Sequence, residues 1–308
     1  MVAEPLSKPV TRFAPSPTGY LHLGHVAHML YVWGVAALAR GSVLLRIEDH
    51  DRQRCRLEYE AALLEDMQWL GFLPANTLSP EGSDYRQSDC GSVYQAMLRN
   101  LSREHHVYRC RCSRKDLAGD APPGHNGERA YSGRCRTAGH AATQPHGIRI
   151  AWDPSAAPES FHDALLGAQC QRPERQCGDL LLRDRVGNWT YQFAVTADDF
   201  RHGVNLVVRG SDLLGSTGRQ IRLARMMGRA NRPVFVHHPL VRSAGGEKLS
   251  KRRRPEAVRV LREAGMAPQA VLGLAARAIG LASTAREIAA VDAAQLVSRR
   301  HPGILRSL

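Results

Sequence analysis

The chain has 308 residues, of which 43% are hydrophobic and 23% charged, enough to bury one large core or two modest ones. No apolar run approaches the roughly 20 residues of a membrane span, and Met1 to Lys8 lacks the apolar stretch of a secretion signal. These features exclude an integral membrane or secreted class and lead us to expect a cytoplasmic protein.

The net charge of +13 is unevenly spread: residues 1–200 carry 22 Lys and Arg against 23 Asp and Glu, residues 201–308 carry 20 against 6. Codon bias toward Arg would not thin out the acids over the same stretch. A local surplus suits a polyanion such as RNA, whose neutralised phosphates release counterions. Seven unevenly spaced cysteines suggest metal ligation or free thiols, not a disulfide framework.

In chain order, Val10 to Phe13 reads as a short strand closed by the Pro-rich turn Ala14-Pro15-Ser16-Pro17-Thr18-Gly19. Val26, Met29, Leu30, Trp33 and Ala37 recur at helical spacing between His25 and Arg40. Val43 to Ile47 has the near-continuous apolar run of a buried parallel strand, and Glu58 to Leu70 repeats the helix signal up to Gly71. Strand, helix, strand, helix opens a doubly wound α/β domain. From Tyr108 to Pro173 the sequence is rich in Gly, Pro, Cys and His, and we read it as an insertion with its own small fold. Strand-like segments return at Trp189–Val195 and Asn205–Val208, then a helix from Gly218 to Met227. Beyond Pro255 the pattern is helical, with Val258, Leu261, Val271, Leu274 and Leu281 as core candidates. The expected units are two catalytic halves, 1–107 and 174–254, the insertion 108–173 and a helical extension 255–308.

Two motifs carry chemistry. His22-Leu23-Gly24-His25 stands between a strand-plus-loop and a helix, where backbone N–H groups and the helix dipole favour a phosphate. Its glycine admits a nucleotide to the backbone, and its imidazoles can donate to phosphate oxygens. Lys248-Leu249-Ser250-Lys251 holds two of the chain's four lysines, on a loop opened by Gly245-Gly246. Compact ammonium groups there suit a departing pyrophosphate.

This pair, in this order, resembles the signature of class I aminoacyl-tRNA synthetases. Arg12 to Gly19, Arg46-Ile47-Glu48-Asp49, Tyr191 to Val195 with Asp198-Asp199, and Val208 to Asp212 resemble the glutamate branch of that family. The resemblance implies a Rossmann-like α/β catalytic domain with a small zinc-containing insertion and a short helical C-terminal extension. It implies ATP with Mg²⁺ and L-glutamate as substrates, joined as glutamyl-adenylate without tRNA. His22, His25, Lys248 and Lys251 would be catalytic, and His22, Gly24, His25, Lys248, Ser250 and Lys251 would hold ATP. Arg12, Ala14, Ser16, Glu48, Tyr191 and Arg209 would bind glutamate. The Arg residues suit its carboxylates, Glu48 its ammonium and Tyr191 its orientation. For Arg12 and Glu48 alone, an ion pair between adjacent strands is the plain alternative.

Cys110, Cys112 and Cys135 in the irregular segment suggest a structural zinc site, which needs a fourth ligand. The resemblance supplies Tyr131, while His125 and His140 are chemically ordinary candidates. Only 57 residues follow Lys251, short for the anticodon-binding region of the full-length glutamate enzymes. The resemblance therefore leans to a truncated branch whose acceptor is queuosine in the anticodon arm of tRNA(Asp). Two features, the His-Leu-Gly-His ending and Val258 to Gly280, resemble the full-length enzymes, which charge the 3′ end of tRNA. A small-molecule nucleotidyltransferase and a non-catalytic RNA-binding derivative are the readings from other classes.

Overall fold

The computed structural model describes residues 8–50, 54–77, 84–113, 115–116, 130–241 and 257–308. Lys248, Ser250, Lys251 and His125 lie outside the described residues. The elements that position the site begin with β1 (Val10–Phe13), α1 (Leu23–Leu38) and β2 (Ser42–Leu45). The two strands are parallel, in the register Val10 to Ser42 through Phe13 to Leu45. Helix α1 is apolar around most of its circumference, so it is buried on most sides, with Val26, Met29, Leu30, Val32 and Val35 inaccessible. Next come α2 (Leu57–Leu70), capped by Gly71, and α3 (Gly91–Glu104).

The middle of the chain forms β3 (Val107–Cys110), β4 (Gly147–Ile150), β5 (Glu159–Asp163), β6 (Gly167–Gln171), the one-turn α4 (Pro173–Gln176) and β7 (Leu180–Arg183). Then follow α5 (Tyr191–Arg201), β8 (Leu206–Gly210), α6 (Thr217–Met226), β9 (Val234–His238), α7 (Val258–Glu263), α8 (Pro268–Ala278) and α9 (Ala293–Arg300). Strands β3, β4 and β7 form an antiparallel sheet, and a second sheet has the order β6-β5-β9-β8. Asn205 stitches β1 to the β8 side: its N–H donates to the Val10 carbonyl and its Oδ1 accepts from the Val10 N–H. The main core lies around α1, and a second core joins Tyr94, Leu98 and Leu101 of α3 to Phe193, Leu180 and Leu182.

Two expectations need correction. Trp189–Val195 is not a strand. Thr190 accepts from the Phe193 N–H and starts helix α5, whose Phe193 to Asp199 are all buried, so both-sided burial mimics a strand in composition. The segment 108–173 is not closed on itself. Hairpin β5–β6 joins the sheet of β8 and β9, with β5 parallel to β9, and β4 pairs with β7. Such pairing leaves no signal in the local pattern. Val258, Leu261, Val271 and Leu281 are core, whereas Leu274 is half-buried. Helix α3 was not anticipated. Among the described residues no helix is long and apolar enough to cross a membrane.

Much of the positive charge of the last third is used internally. Arg222 and Arg225 pair with Glu159 at 2.9 and 2.6 Å, Arg222 also with Glu174 at 2.7 Å, and Arg262 with Glu65 at 3.1 Å. Arg277, Arg286, Arg299, Arg300 and Arg306 remain exposed on the C-terminal helical region.

Candidate active site

The loop after β1 and the start of α1 form one side of a cleft of about 530 Å³, and the ends of β8 and β9 form the other. Of the residues expected from sequence, Ala14, Ser16, His22, Gly24, His25 and Arg209 line it. Arg12 and Glu48 are buried and do not line it directly; with Arg46, Asp199 and Arg209 they make up what we call its floor. Tyr191, half-buried, is close enough to Glu48, Arg209 and Arg12 to feel their charges.

His22 is the N-cap of α1, and its Nδ1 accepts from the Gly24 N–H at 3.1 Å. Nδ1 of His25 accepts from the His22 N–H at 3.2 Å, closing a reciprocal cap. A side chain at position 24 would put its Cβ 2.8 Å from the His22 ring, so only glycine lets that ring fold over the helix start. Burial lowers the His22 pKa, and burial together with His22 takes His25 down to about 3. Both rings are therefore neutral near pH 7. With each Nδ1 accepting, the ring protons sit on Nε2, and two uncharged donors remain for a ligand.

The floor is the opposite case. Arg46 is fully buried, with Nη1 2.6 Å from Asp199, Nη2 2.9 Å from Glu48 and Nε 3.8 Å from Asp198. Arg12 donates from Nε to Asp199 at 2.9 Å and from Nη1 to the Val208 carbonyl at 3.2 Å. Burial would push the Asp199 carboxyl up, but Arg12 and Arg46 outweigh it and hold it well below the carboxylate range. Arg12 and Glu48 thus do not pair with each other. Glu48 gives one oxygen to Arg46, and its second oxygen has no partner among the described residues.

Arg209 differs from both. It is 3% exposed, yet its partners are neutral: His237 Nε2 at 3.0 Å, Gln220 Oε1 at 2.6 Å and Thr217 Oγ1 at 2.9 Å. His237 can accept because its Nδ1 lies 2.6 Å from buried Asp163, which takes the ring proton's hydrogen bond and leaves the Nε2 lone pair free for Arg209. Burial, with Arg12 nearby, lowers the Arg209 pKa and outweighs Tyr191 and the Asp199 carboxylate, which raise it. The sequence reading missed Asp163, His237 and Thr217. Asp163 reaches the site only through the pairing of β5 with β9, which no local pattern announces.

At the far end of β3, Cys110, Cys112 and Cys135 hold their sulfurs within 4.8 Å of one another. Tyr131 Oη lies 3.4 Å from Cys110 Sγ and 3.8 Å from Cys112 Sγ, and Cys112 and Cys135 are 3.5 Å apart. Ligand atoms around a tetrahedral zinc, with Zn–S about 2.3 Å and Zn–O about 2.0 Å, stand about 3.5–3.8 Å apart, so these donors fit the ion. His140 reaches Cys135 alone, at 3.3 Å. Burial raises the Cys135 thiol, but hydrogen bonds with Tyr131, the Arg111 backbone, His140 and Cys112 outweigh it and bring it to about 6. Gly178, at φ 61°, sits where a Cβ would lie 1.9 Å from the Tyr131 carbonyl oxygen, so a glycine is required for Tyr131 to dock.

One cleft thus joins a helix start that carries neutral donors to a buried guanidinium, Arg209, beside which Arg12, Arg46, Glu48 and Asp199 form an ionic network. Residues 8–297 match the family described as tRNA synthetases class I (E and Q), catalytic domain. The chain belongs to that family and is a ligase-type enzyme with its α/β catalytic fold. Among curated relatives, it is similar to the glutamyl-Q tRNA(Asp) synthetase of Nitratidesulfovibrio vulgaris, at 36% identity over 88% of this chain and 86% of that one. Its similarity to the protein of the same name from Rhodobacter capsulatus is 37%, over 84% of this chain and 96% of that one. A crystal structure of a glutamate tRNA ligase from Elizabethkingia meningosepticum, in complex with its amino acid, superposes with TM-score 0.76 at 25% identity. That match covers 94% of this chain and 64% of the longer one.

Proposed function

We propose that the protein activates L-glutamate with ATP in the absence of tRNA and transfers it to queuosine at the wobble position of tRNA(Asp). The observation that carries the first half is Arg209, a buried guanidinium whose hydrogen-bond partners are neutral, opening on a cleft whose other wall holds the rings of His22 and His25. A buried cation left in this state needs an anionic ligand group.

In this reading Arg209 and Arg12 meet the carboxylates of glutamate, Tyr191 orients it, and the second oxygen of Glu48 accepts its ammonium. The α-carboxylate oxygen attacks the α-phosphorus. A carboxyl O–P bond forms while the bond to the bridging oxygen breaks, and pyrophosphate leaves. The Nε2–H groups of His22 and His25 stabilise the charge that develops, and Ser16 and Ala14 border the reacting groups. Lys248, Ser250 and Lys251, outside the described residues, would follow the pyrophosphate. Mg²⁺ would accompany ATP and shield its phosphates. A hydroxyl of the queuosine cyclopentene diol then attacks the activated carbonyl, losing its proton as AMP leaves, to give an ester.

The acceptor rests on the names of the relatives and on the exposed arginines of the C-terminal helices, which suit a phosphate backbone. Zinc held by Cys110, Cys112, Cys135 and Tyr131 would tie down the segment after β3. Tyr131 is favoured over His140 because it reaches two thiols. Cys110→Ser should then lose one equivalent of zinc on metal analysis, and metal-free wild-type protein as isolated would remove the assignment.

The experiment offers labelled glutamate with queuosine-containing tRNA(Asp), unmodified tRNA(Asp) and tRNA(Glu). Label confined to the modified tRNA(Asp) and released by mild base supports the reading. Label on the 3′ end of tRNA(Glu) would make this a short glutamyl-tRNA synthetase.

A further inference from the structure

A second pair of histidines lines the same cleft and has no part in the chemistry above. His28 lies one turn beyond His25 on α1, and His238 ends β9. Nδ1 of His28 is 2.8 Å from Nε2 of His238, and Nδ1 of His238 is 2.7 Å from the Pro239 carbonyl oxygen. The last link fixes the protons. A carbonyl only accepts, so the His238 proton is on Nδ1. Burial draws His238 down to about 4 and, with His238, Arg12 and His25 nearby, draws His28 well below its ordinary value, so both rings are neutral. The Nε2 lone pair of His238 must then accept from His28 Nδ1–H. That leaves His28 with its own lone pair on Nε2, which has no partner among the described residues. Tyr31 stacks on His238 at 4.7 Å and 12°, and Phe13 flanks His28 at 5.6 Å, so neither ring is loose.

The nucleotide wall thus carries one fixed acceptor beside the two fixed donors of His22 and His25. Near pH 7 the phosphates of ATP offer almost no donor, and the ammonium of glutamate is assigned to Glu48. The remaining donors are the exocyclic amine of adenine and the ribose hydroxyls. His28 stands about 4.5 Å along the helix from His25, beyond the residues that face the phosphates.

We propose that His28, aligned by His238 and the Pro239 carbonyl, is a specificity-determining acceptor for a donor group of the nucleoside, the adenine amine or a ribose hydroxyl. The inference rests on the nucleotide-binding half of the proposed function. It also implies that a 6-oxo purine, if that edge meets His28, presents a lone pair to a lone pair.

The test is equilibrium binding of ATP, purine riboside triphosphate (no amine), 2′-deoxy-ATP and 3′-deoxy-ATP to the purified full chain, then to His28→Leu. One analogue should bind the wild type roughly 5- to 30-fold more weakly than ATP, the loss of one hydrogen bond. The same analogue should match ATP within about twofold on His28→Leu. Its identity separates amine from hydroxyl. The proposal is overturned if all three analogues bind the wild type like ATP, or if the deficit persists in His28→Leu. The wild-type series stands even if that variant does not fold. A chain that binds no ATP at all would instead remove the nucleotide reading, and this inference with it.

Discussion

The two ends of the cleft solve the problem of charge in opposite ways. At the floor, Arg12 and Arg46 are locked against Asp198, Asp199 and Glu48, and Arg209 is held buried with no anion of its own. At the helix start, His22 and His25 are neutral and offer only N–H dipoles. In the proposed function the difference follows what each end would do. A ligand recognised by its charge is best met by a fixed countercharge whose neighbours have already been oriented. A phosphate that must leave is poorly served by a fixed buried cation, because that would hold reactant and product alike. Under that proposal, neutral donors would stabilise the charge that develops without retaining the pyrophosphate.

The largest expected effect breaks the floor. Arg209→Leu leaves the glutamate carboxylate without a partner in a buried site, on the order of 3–5 kcal/mol. Glutamate-dependent exchange of pyrophosphate into ATP should fall at least a hundredfold in kcat/KM, with ATP affinity little changed. A variant that uses glutamate as well as the parent would show that the uncompensated guanidinium is structural.

A smaller loss is expected at the other end. His25→Leu removes one neutral donor and should lower kcat about a hundredfold, the scale of one oriented hydrogen bond to developing charge. His25→Asn, which keeps an N–H donor, should recover part of it. The sign of the pH dependence also follows from the shifts. Burial lowers both rings, and His25, at about 3, stays neutral as pH falls from 8 to 6. Wild-type kcat should show no step from His25 in that window. A sigmoidal loss centred near 6.5 that disappears in His25→Asn would mean this end is charged in use.

Much of the cleft was legible in sequence because its parts lie on contiguous stretches. The strand–loop–helix start brings Arg12, Ala14, Ser16, His22, Gly24 and His25 together with no long-range contact to guess. The supports were not. Asp163 and His237 are 74 residues apart and meet only through strand pairing, and His28 and His238 are 210 apart. Asp163 falls in the segment read as an insertion, and His237 and His238 in a stretch to which the local pattern assigns no element. The charge asymmetry was visible as a number but not as a surface, since Arg222, Arg225 and Arg262 face acids from the first two-thirds. Helix α5 was misread because a helix buried on nearly every side has the composition of a strand.

The smallest effect lies outside the cleft and serves as the control for the floor. Asp66 on α2 is as buried as Asp199, yet neither of its oxygens accepts a well-formed hydrogen bond among the described residues. Its neighbour Arg262 on α7 stands 3.4 Å away and is 29% exposed. Burial pushes the Asp66 carboxyl up to about 6, where two guanidiniums hold Asp199 down. A folded value raised above the unfolded one, about 3.9, means that the protonated form is the stable one in the core. The contribution is full below about pH 4 and is lost as pH rises through about 6. At pH 7.5 the ionised carboxylate should cost about 1–2 kcal/mol, after discounting for the partly exposed Arg262. Asp66→Asn should therefore be more stable than the parent in urea at pH 7.5 by that amount, with the advantage gone by pH 4. An advantage equal at both pH values would mean that Asp66 titrates normally, and that burial alone does not separate it from Asp199.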